Sequence, residues 1–356
     1  MTRNVHIEGT GTIGSPLINM LAKLRLPLYI DKVTFNKNTP LKTDRSRVWK
    51  LIDAGAKLCT YEDRIDKFRE LGMNPAMSAE EAREEADVII DCTPFGNKNK
   101  EIYAALQKPK GIIAQGSEKG FGVPYVRAIN DSALDGRFTQ VVSCNTHNIA
   151  ALVNCFGFKN GEEPDNFVRG RMNCIRRAND LSQDDKFVPS PTVDGFKDEV
   201  YGTHHAKDAH DLFATLDYDI DLFSSSLKTN TQLMHLVDFD ITVREKTTVT
   251  DLQKLIYKNK YVAHTFKKSA NQVFHFGREF GWNGRILNHT VIPHEKLNVK
   301  ETGESYLISG HSFTPQDGNS LLSSVAATLW YLDESSGKKE YGELLQNFKD
   351  YVFSEI

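Results

Sequence analysis

The sequence predicts an α/β domain with a parallel, helix-wound sheet, followed by an α+β domain with a mainly antiparallel sheet. Three observations carry this. A short apolar strand at Asn4–Glu8 runs into a glycine-rich turn and then an apolar helix. Short apolar strands alternate with helical patterns as far as residue 143, the signature of parallel sheets with crossover helices. Beyond that point longer strands alternate apolar and polar side chains, as Phe167 to Arg177 does with Val168, Gly170, Met172 and Cys174 against Arg169, Arg171 and Asn173.

Size and composition narrow the function classes. The 356 residues imply two domains. Lys+Arg number 44 and Asp+Glu 47, a net charge of −3, which argues against a primary nucleic-acid or anionic-membrane binder. With 40% apolar and 26% charged residues the chain is globular rather than disordered. No apolar run reaches the ~18 residues of a membrane span. Five cysteines, an odd number, read as reduced thiols of a cytoplasmic protein.

The turn is Gly9-Thr-Gly-Thr-Ile-Gly14, a G-x-G-x-x-G between strand and helix. In that setting it is a dinucleotide-binding (Rossmann) fingerprint: Gly9 makes the tight turn, Gly11 admits the pyrophosphate, and Gly14 lets helix and strand approach. The helix N-terminus supplies free N–H groups and partial positive charge. A second strand is expected at Tyr29–Phe35. Where an NAD site places a carboxylate on the ribose, the chain reads Asn36-Lys37-Asn38-Thr39. Lys37 leans the cofactor towards NADP over NAD, the alternative being a solvated loop lysine. Helical patterns follow at Ser46–Asp53 and Asp63–Leu71, with a capping box at Ser78–Glu81. Strands are expected at Asp87–Asp91, Gly111–Gln115 and Phe138–Ser143. Thr93 and Gly116 lie at carboxyl ends of these strands, where such sheets bind ligands.

Val141-Val-Ser-Cys-Asn-Thr-His147 puts Cys144 at a strand-to-helix junction. A helix N-terminus lowers a thiol pKa, and the N–H groups of Asn145 and Thr146 would face an oxyanion. The plain alternative is a buried structural cysteine, which is the reading for Cys59, Cys92, Cys155 and Cys174. A thiolate beside a dinucleotide indicates oxidation of an aldehyde through a thioester.

The chain resembles the archaeal-type (class II) phosphorylating glyceraldehyde-3-phosphate dehydrogenases. The matching stretches are the glycine turn, Ile90–Pro94, Gln115–Lys119, Val141–Thr146, Arg176–Ala178 with Asp180, Thr203–His205 and Gln232–His235, in the family's order. The resemblance implies Cys144 as nucleophile and His235 as general base, with Ser143 and Asn145 flanking the aldehyde. It places Arg177 and Arg176 near cofactor or substrate phosphate, His204 and His205 near substrate, and Thr12, Ile13 and Gly116 at the cofactor. It further implies a homotetramer, and a C-terminal helix that returns to the first domain. The expected division is therefore 1–144 with 315–356 for the dinucleotide and 145–314 for the substrate. The substrates implied are a phosphorylated aldehyde and inorganic phosphate.

Read on their own residues, the remaining elements leave choices open. Arg176-Arg177 at a strand end suits phosphate, or is a surface basic pair. Thr203, His204 and His205 could bind a phosphate or hydroxyl, or form an idle loop; they lack the spacing of a metal site, so no metal is expected. His235 starts a strand at Leu236–Val243, and His147, three residues past Cys144, is the other candidate base. Strands are expected at Gly284–Val291 and Ser305–Ser312, and helices at Ser320–Leu332 and Tyr341–Phe353. Two departures from the family matter. Its late histidine-glutamine pair is absent, leaving Gln316 and Asn319 as candidates for the nicotinamide end, and the stretch 180–201 is altered. The alternatives are therefore a dehydrogenase of another phosphorylated aldehyde, or a non-catalytic dinucleotide-binding redox sensor.

Overall fold

The computed structural model describes residues 2–180 and 187–356. The chain divides into two compact units, Met1–Val123 with Leu134–Val141 and Ser323–Asn347, and Pro124–Ala133 with Val142–Leu322 and Phe348–Ile356.

The first unit is built on β1 (Asn4–Glu8), β2 (Lys32–Asn36), β3 (Lys57–Thr60), β4 (Met77–Ser78), β5 (Val88–Asp91), β6 (Gly111–Gln115) and β8 (Phe138–Val141), and its sheet is continued by β7 (Val123–Tyr125), whose last two residues are counted with the second. Their order across the sheet is β4-β3-β2-β1-β5-β6-β8-β7. The pairs from β4 through β8 are parallel. Strands covered on both faces need continuous apolar runs, and Val88, Ile89 and Ile90 are fully buried. The chain leaves β1 first to one side and later to the other. The switch point thus falls between β1 and β5, where such sheets open for ligands. The helices are α1 (Gly14–Lys23), α2 (Arg45–Asp53), α3 (Ile65–Glu70), α4 (Ala79–Glu84) and α5 (Gly96–Ala105), with Ser78 and Glu81 forming the expected capping box. β2 starts later than the sequence implies, because Leu24 to Asp31 are used in the turn leaving α1, with Tyr29 at φ +52°.

The second unit holds a mixed, mostly antiparallel sheet of β9 (Phe167–Arg176), β10 (Thr192–Val193), β11 (Leu222–Lys228), β12 (His235–Val243), β13 (Val262–His264), β14 (Thr290–Ile292), β15 (Asn298–Thr302) and β16 (Ser305–Thr314). Its order is β10-β11-β9-β12-β16-β14-β13, with β15 on β16. Helices are α6 (Cys144–Leu152), α7 (His204–Ala214), α8 (Val249–Lys258) and α9 (Ala270–Phe280). α10 (Gly318–Leu332) begins in this unit and ends in the first, where α11 (Lys339–Leu344) follows. β9 and β11 are parallel because α7 lies between them in the chain, and a helical crossover returns a strand in the same direction. α7 replaces the expected histidine loop: Ala206, Ala209, Leu212 and Phe213 form its buried stripe, and the Phe213 ring meets Phe158 at 5.0 Å. The strand expected at Gly284–Val291 shrinks to β14, since Trp282 and Arg285 close a tight turn on each other. The expected Tyr341–Phe353 helix splits into α11 and a 3₁₀ stretch over Leu345–Tyr351. Of the altered stretch 180–201, residues 181–186 lie outside the described residues.

Candidate functional site

α6 begins at Cys144 because Ser143 caps it. Ser143 has extended backbone, and its Oγ accepts the Thr146 N–H at 3.4 Å and meets Thr146 Oγ1 at 2.9 Å. Ile149, Ala150 and Leu152 bury the helix behind it. The carbonyl of Cys144 accepts a 3.0 Å bond from Asn319 Nδ2, which also reaches the His289 carbonyl at 3.2 Å. Asn319 is fully buried and its Oδ1 accepts the Ser320 N–H, so its amide is engaged with backbone on both sides. The sequence places Asn319 at the cofactor; in the structure its amide clamps the Cys144 peptide.

A cavity of about 270 Å³ brings together Ser143, Cys144, Asn145, Arg176, Arg177, Ala178, Asn179, Asp180, His205, Lys228 and His235. Cys144 keeps part of its surface open to it. Burial nevertheless pushes its thiol up to about 12, with the Asp317 carboxylate adding to the rise and the Arg177 guanidinium opposing it. This reverses the direction expected from the helix N-terminus alone: desolvation of the sulfur outweighs the partial charge of the helix. Of the two N–H groups expected to face an oxyanion, that of Thr146 is taken by Ser143, whereas that of Asn145 donates towards the sulfur. Thr146 is fully buried and is not among the cavity-lining residues.

His235 opens β12 beside the end of β9, and its Nδ1 accepts the Arg177 N–H at 3.0 Å. Burial, with Arg177 and Arg176 nearby, holds the ring down to about 3, so it is neutral. A backbone N–H can only donate, so the ring proton of His235 sits on Nε2. In this arrangement His235 offers a donor. Taking up a proton on the cavity side requires the bond to Arg177 to be exchanged. His147, the other candidate base, is fully buried, with Nδ1 3.0 Å from the Ser143 carbonyl, and is absent from the cavity lining.

The cations come as paired groups. Arg176 Nη2 lies 2.8 Å from Asp194, and Arg177 Nη2 donates to Asp180 at 2.6 Å. Arg177 is buried, which corrects the surface-pair alternative for that residue. Lys228, at the end of β11, is a third cation that no motif announced. Three cations and one lining carboxylate, Asp180, favour an anionic ligand. His205 reaches in from the first turn of α7, with Nε2 3.5 Å from Asn145 Nδ2 and its basicity depressed by burial. The His204 ring lies 3.9 Å from that of His205, tilted by 47°, but does not line the cavity. Thr203 serves the fold: its Oγ1 meets Ser224 Oγ at 2.6 Å, away from the lining residues. Gln316 Nε2 reaches Asp180 at 3.5 Å while its Oε1 is buried without a partner.

In the first unit the glycine turn has the shape a dinucleotide needs. Gly9 adopts φ +89°, and a Cβ on Gly14 would sit 2.1 Å from the Gly9 carbonyl oxygen. At Gly11 and Gly116, by contrast, a Cβ would meet nothing within 4 Å, leaving room for a pyrophosphate and a sugar. Ile13 precedes α1 without capping it. Thr93 is fixed beside the turn by two bonds to Asp91, of 2.8 Å and 2.6 Å. These residues fit a dinucleotide. Lys37 is not a solvated loop lysine: it is nearly buried, and its ammonium lies 2.6 Å from Asp44.

Among the described residues no cluster of three or more His, Cys, Asp or Glu could hold a metal, and no helix is long and apolar enough to cross a membrane. No family model matches the chain. Curated relatives do. A glyceraldehyde-3-phosphate dehydrogenase of Sulfolobus acidocaldarius is 30% identical over 362 residues, 98% of each chain. That of Sulfurisphaera tokodaii is 27% identical over 371 residues, again 98% of each. That of Metallosphaera sedula is 26% identical over 311 residues, covering 83% of this chain and 84% of the relative. With a thiol, an imidazole and three cations gathered in one cavity, a dinucleotide turn at the start, and end-to-end similarity to these enzymes, the chain belongs to the glyceraldehyde-3-phosphate dehydrogenase family.

Proposed function

We propose that this chain oxidises glyceraldehyde 3-phosphate to 1,3-bisphosphoglycerate, reversibly and with inorganic phosphate, through a thioester on Cys144. The supporting observation is the shared cavity: Cys144, His235, Arg176, Arg177 and Lys228 line one space of about 270 Å³. In this reading residues 1–144 with 315–356 serve the dinucleotide and 145–314 the substrate. The cations bind the substrate phosphate and the incoming phosphate, as forked guanidinium donors suit. Cys144 Sγ adds to the aldehyde carbon, and the thiol proton passes to the carbonyl oxygen to give a hemithioacetal. The Nε2–H of His235 stabilises the developing oxygen charge. A bound nicotinamide would supply the hydride acceptor that turns the hemithioacetal into a thioester, and the hydroxyl proton passes to His235 after its Nδ1 bond to the Arg177 N–H is exchanged. Phosphate then attacks the thioester carbon and the Cys144 sulfur leaves. The enzyme is a cytoplasmic homotetramer in this reading, with a lean to NADP.

The test is absorbance of reduced nicotinamide with glyceraldehyde 3-phosphate, NADP or NAD, with and without phosphate, beside Cys144→Ala. Phosphate-dependent reduction that is lost in the variant is the expected result. Reduction indifferent to phosphate removes the phosphorylating step, and binding of dinucleotide without reduction of any phosphorylated aldehyde favours the redox sensor.

A further inference from the structure

Two cations and one carboxylate meet where β2 gives way to the segment before α2. Lys37 follows β2 directly, with its ammonium 2.6 Å from Asp44 Oδ2 and its side chain 9% exposed. Arg47, in the first turn of α2, donates from Nη1 to the Thr10 carbonyl of the glycine turn at 3.1 Å. The same nitrogen lies 3.8 Å from Asp44 Oδ1, and the Arg47 side chain is 42% exposed. One carboxylate therefore holds both cations.

The neighbouring polar groups have other work. Asn36 donates to Glu8 at 2.7 Å, and Glu8 is sealed below the turn with His6 and Arg83. Arg64 donates to the Asn38 carbonyl at 2.8 Å. Arg45 lies over the Trp49 ring at 4.3 Å. The end of β2 is where a dinucleotide places the ribose hydroxyls of its adenosine half, and a cation there receives a 2′-phosphate. A forked guanidinium against the glycine turn suits that dianion, but Asp44 stands between it and the lysine.

We infer that Asp44 sets the choice between the phosphorylated and unphosphorylated nicotinamide dinucleotide, by holding Lys37 and Arg47 back from a 2′-phosphate. The inference rests on the dinucleotide site proposed above and refines the lean drawn from Lys37. Asp44 is a positioning residue acting through the two cations, and a 2′-phosphate must displace it.

The experiment measures binding of 2′,5′-ADP and of 5′-ADP to the full chain by calorimetry, for wild type, Asp44→Asn, and Asp44→Asn combined with Arg47→Met or Lys37→Met. Asp44→Asn keeps the side chain's shape, and the residue sits on a partly exposed 3₁₀ turn, Lys42–Asp44. The expected result is a gain of about tenfold for 2′,5′-ADP with 5′-ADP unchanged within about twofold. The gain shrinks as salt rises and is cancelled by either added substitution. The ratio of kcat/KM for NADP over NAD moves the same way. An unchanged ratio of the two affinities in Asp44→Asn overturns the inference, as does an equal weakening of both, which marks a purely structural role. Failure of both probes to bind the wild type removes the dinucleotide site itself, and the inference with it.

Discussion

Two helices of this chain start where a parallel strand of the first sheet has just ended, and they start in opposite ways. α1 opens with Ile13, which contributes no side-chain cap, after glycines that leave open space at Gly11. α6 opens with Ser143, whose hydroxyl takes the Thr146 N–H, and with Asn319 fastened to the first carbonyl. The bare start leaves backbone donors for a ligand that arrives with its own charge. The capped start gives up a donor to hold one sulfur still. A helix N-terminus is thus a binding site or a mounting, depending on whether a side chain closes it.

Removing the sulfur gives the largest separation of the two. Cys144→Ala is expected to lower aldehyde oxidation by at least roughly 10³-fold while 5′-ADP affinity stays within about twofold. A comparable loss of nucleotide binding would show that the two starts are not independent. The converse change is Gly14→Ala. Its methyl would lie 2.1 Å from the Gly9 oxygen, so the turn must open, and overpacking of this kind costs about 1–3 kcal/mol. Dinucleotide binding measured by fluorescence should weaken about 10- to 100-fold, with the rate of thiol alkylation unchanged. Asn319→Ala, which frees the Cys144 carbonyl, should lower kcat by about tenfold or more, through misplacement of the sulfur rather than loss of substrate affinity. A change in KM alone would argue for direct ligand contact instead.

Smaller effects sharpen the cap itself. Ser143→Ala should cost about 1 kcal/mol of stability in denaturant titration, and Ser143→Thr should restore most of it. For the thiol, a value near 12 means the thiolate fraction, and with it the iodoacetamide rate, climbs across pH 7 to 10 without levelling. Asp317→Asn removes a negative charge that favours the neutral thiol, so the profile should move to lower pH and the rate at pH 8 should rise about threefold. A plateau near pH 8 in the wild type would restore the lowering expected from the helix end.

What the sequence disclosed follows the same division. Gly9, Gly11 and Gly14 are legible because backbone geometry demands those residues at those steps. Cys144 is legible because a polar run follows an apolar strand. The central strands of both sheets are legible, the first from short apolar runs and β9 from alternation, whereas β3, β4, β7, β10, β11, β13 and β15 carry no pattern that marked them. α7 was hidden, since Lys207, Asp208, His210 and Asp211 interrupt its small buried stripe and the two histidines draw attention to a loop. Lys228 and Asp317 carry no motif; only the end of β11 and the start of α10 bring them to the site. Burial, which raises the thiol's pKa against the pull of the helix end, depends on every element packed round the sulfur and so leaves no mark in the local sequence. The bonds of Asn319 to two backbone carbonyls were not legible, since those carbonyls lie 175 and 30 residues away in the chain.

That amide has a consequence for how activity is acquired during synthesis. Cys144 leaves the ribosome long before Asn319 does, and the peptide carrying the sulfur has no clamp in the interval. A nascent chain can lay down much of the first sheet early, yet the Cys144 carbonyl gains its partner on Asn319 only when α10 begins to form. Any lesion that frays the first turn of α10, however far in sequence from the thiol, should leave a protein that still holds nucleotide and no longer turns over.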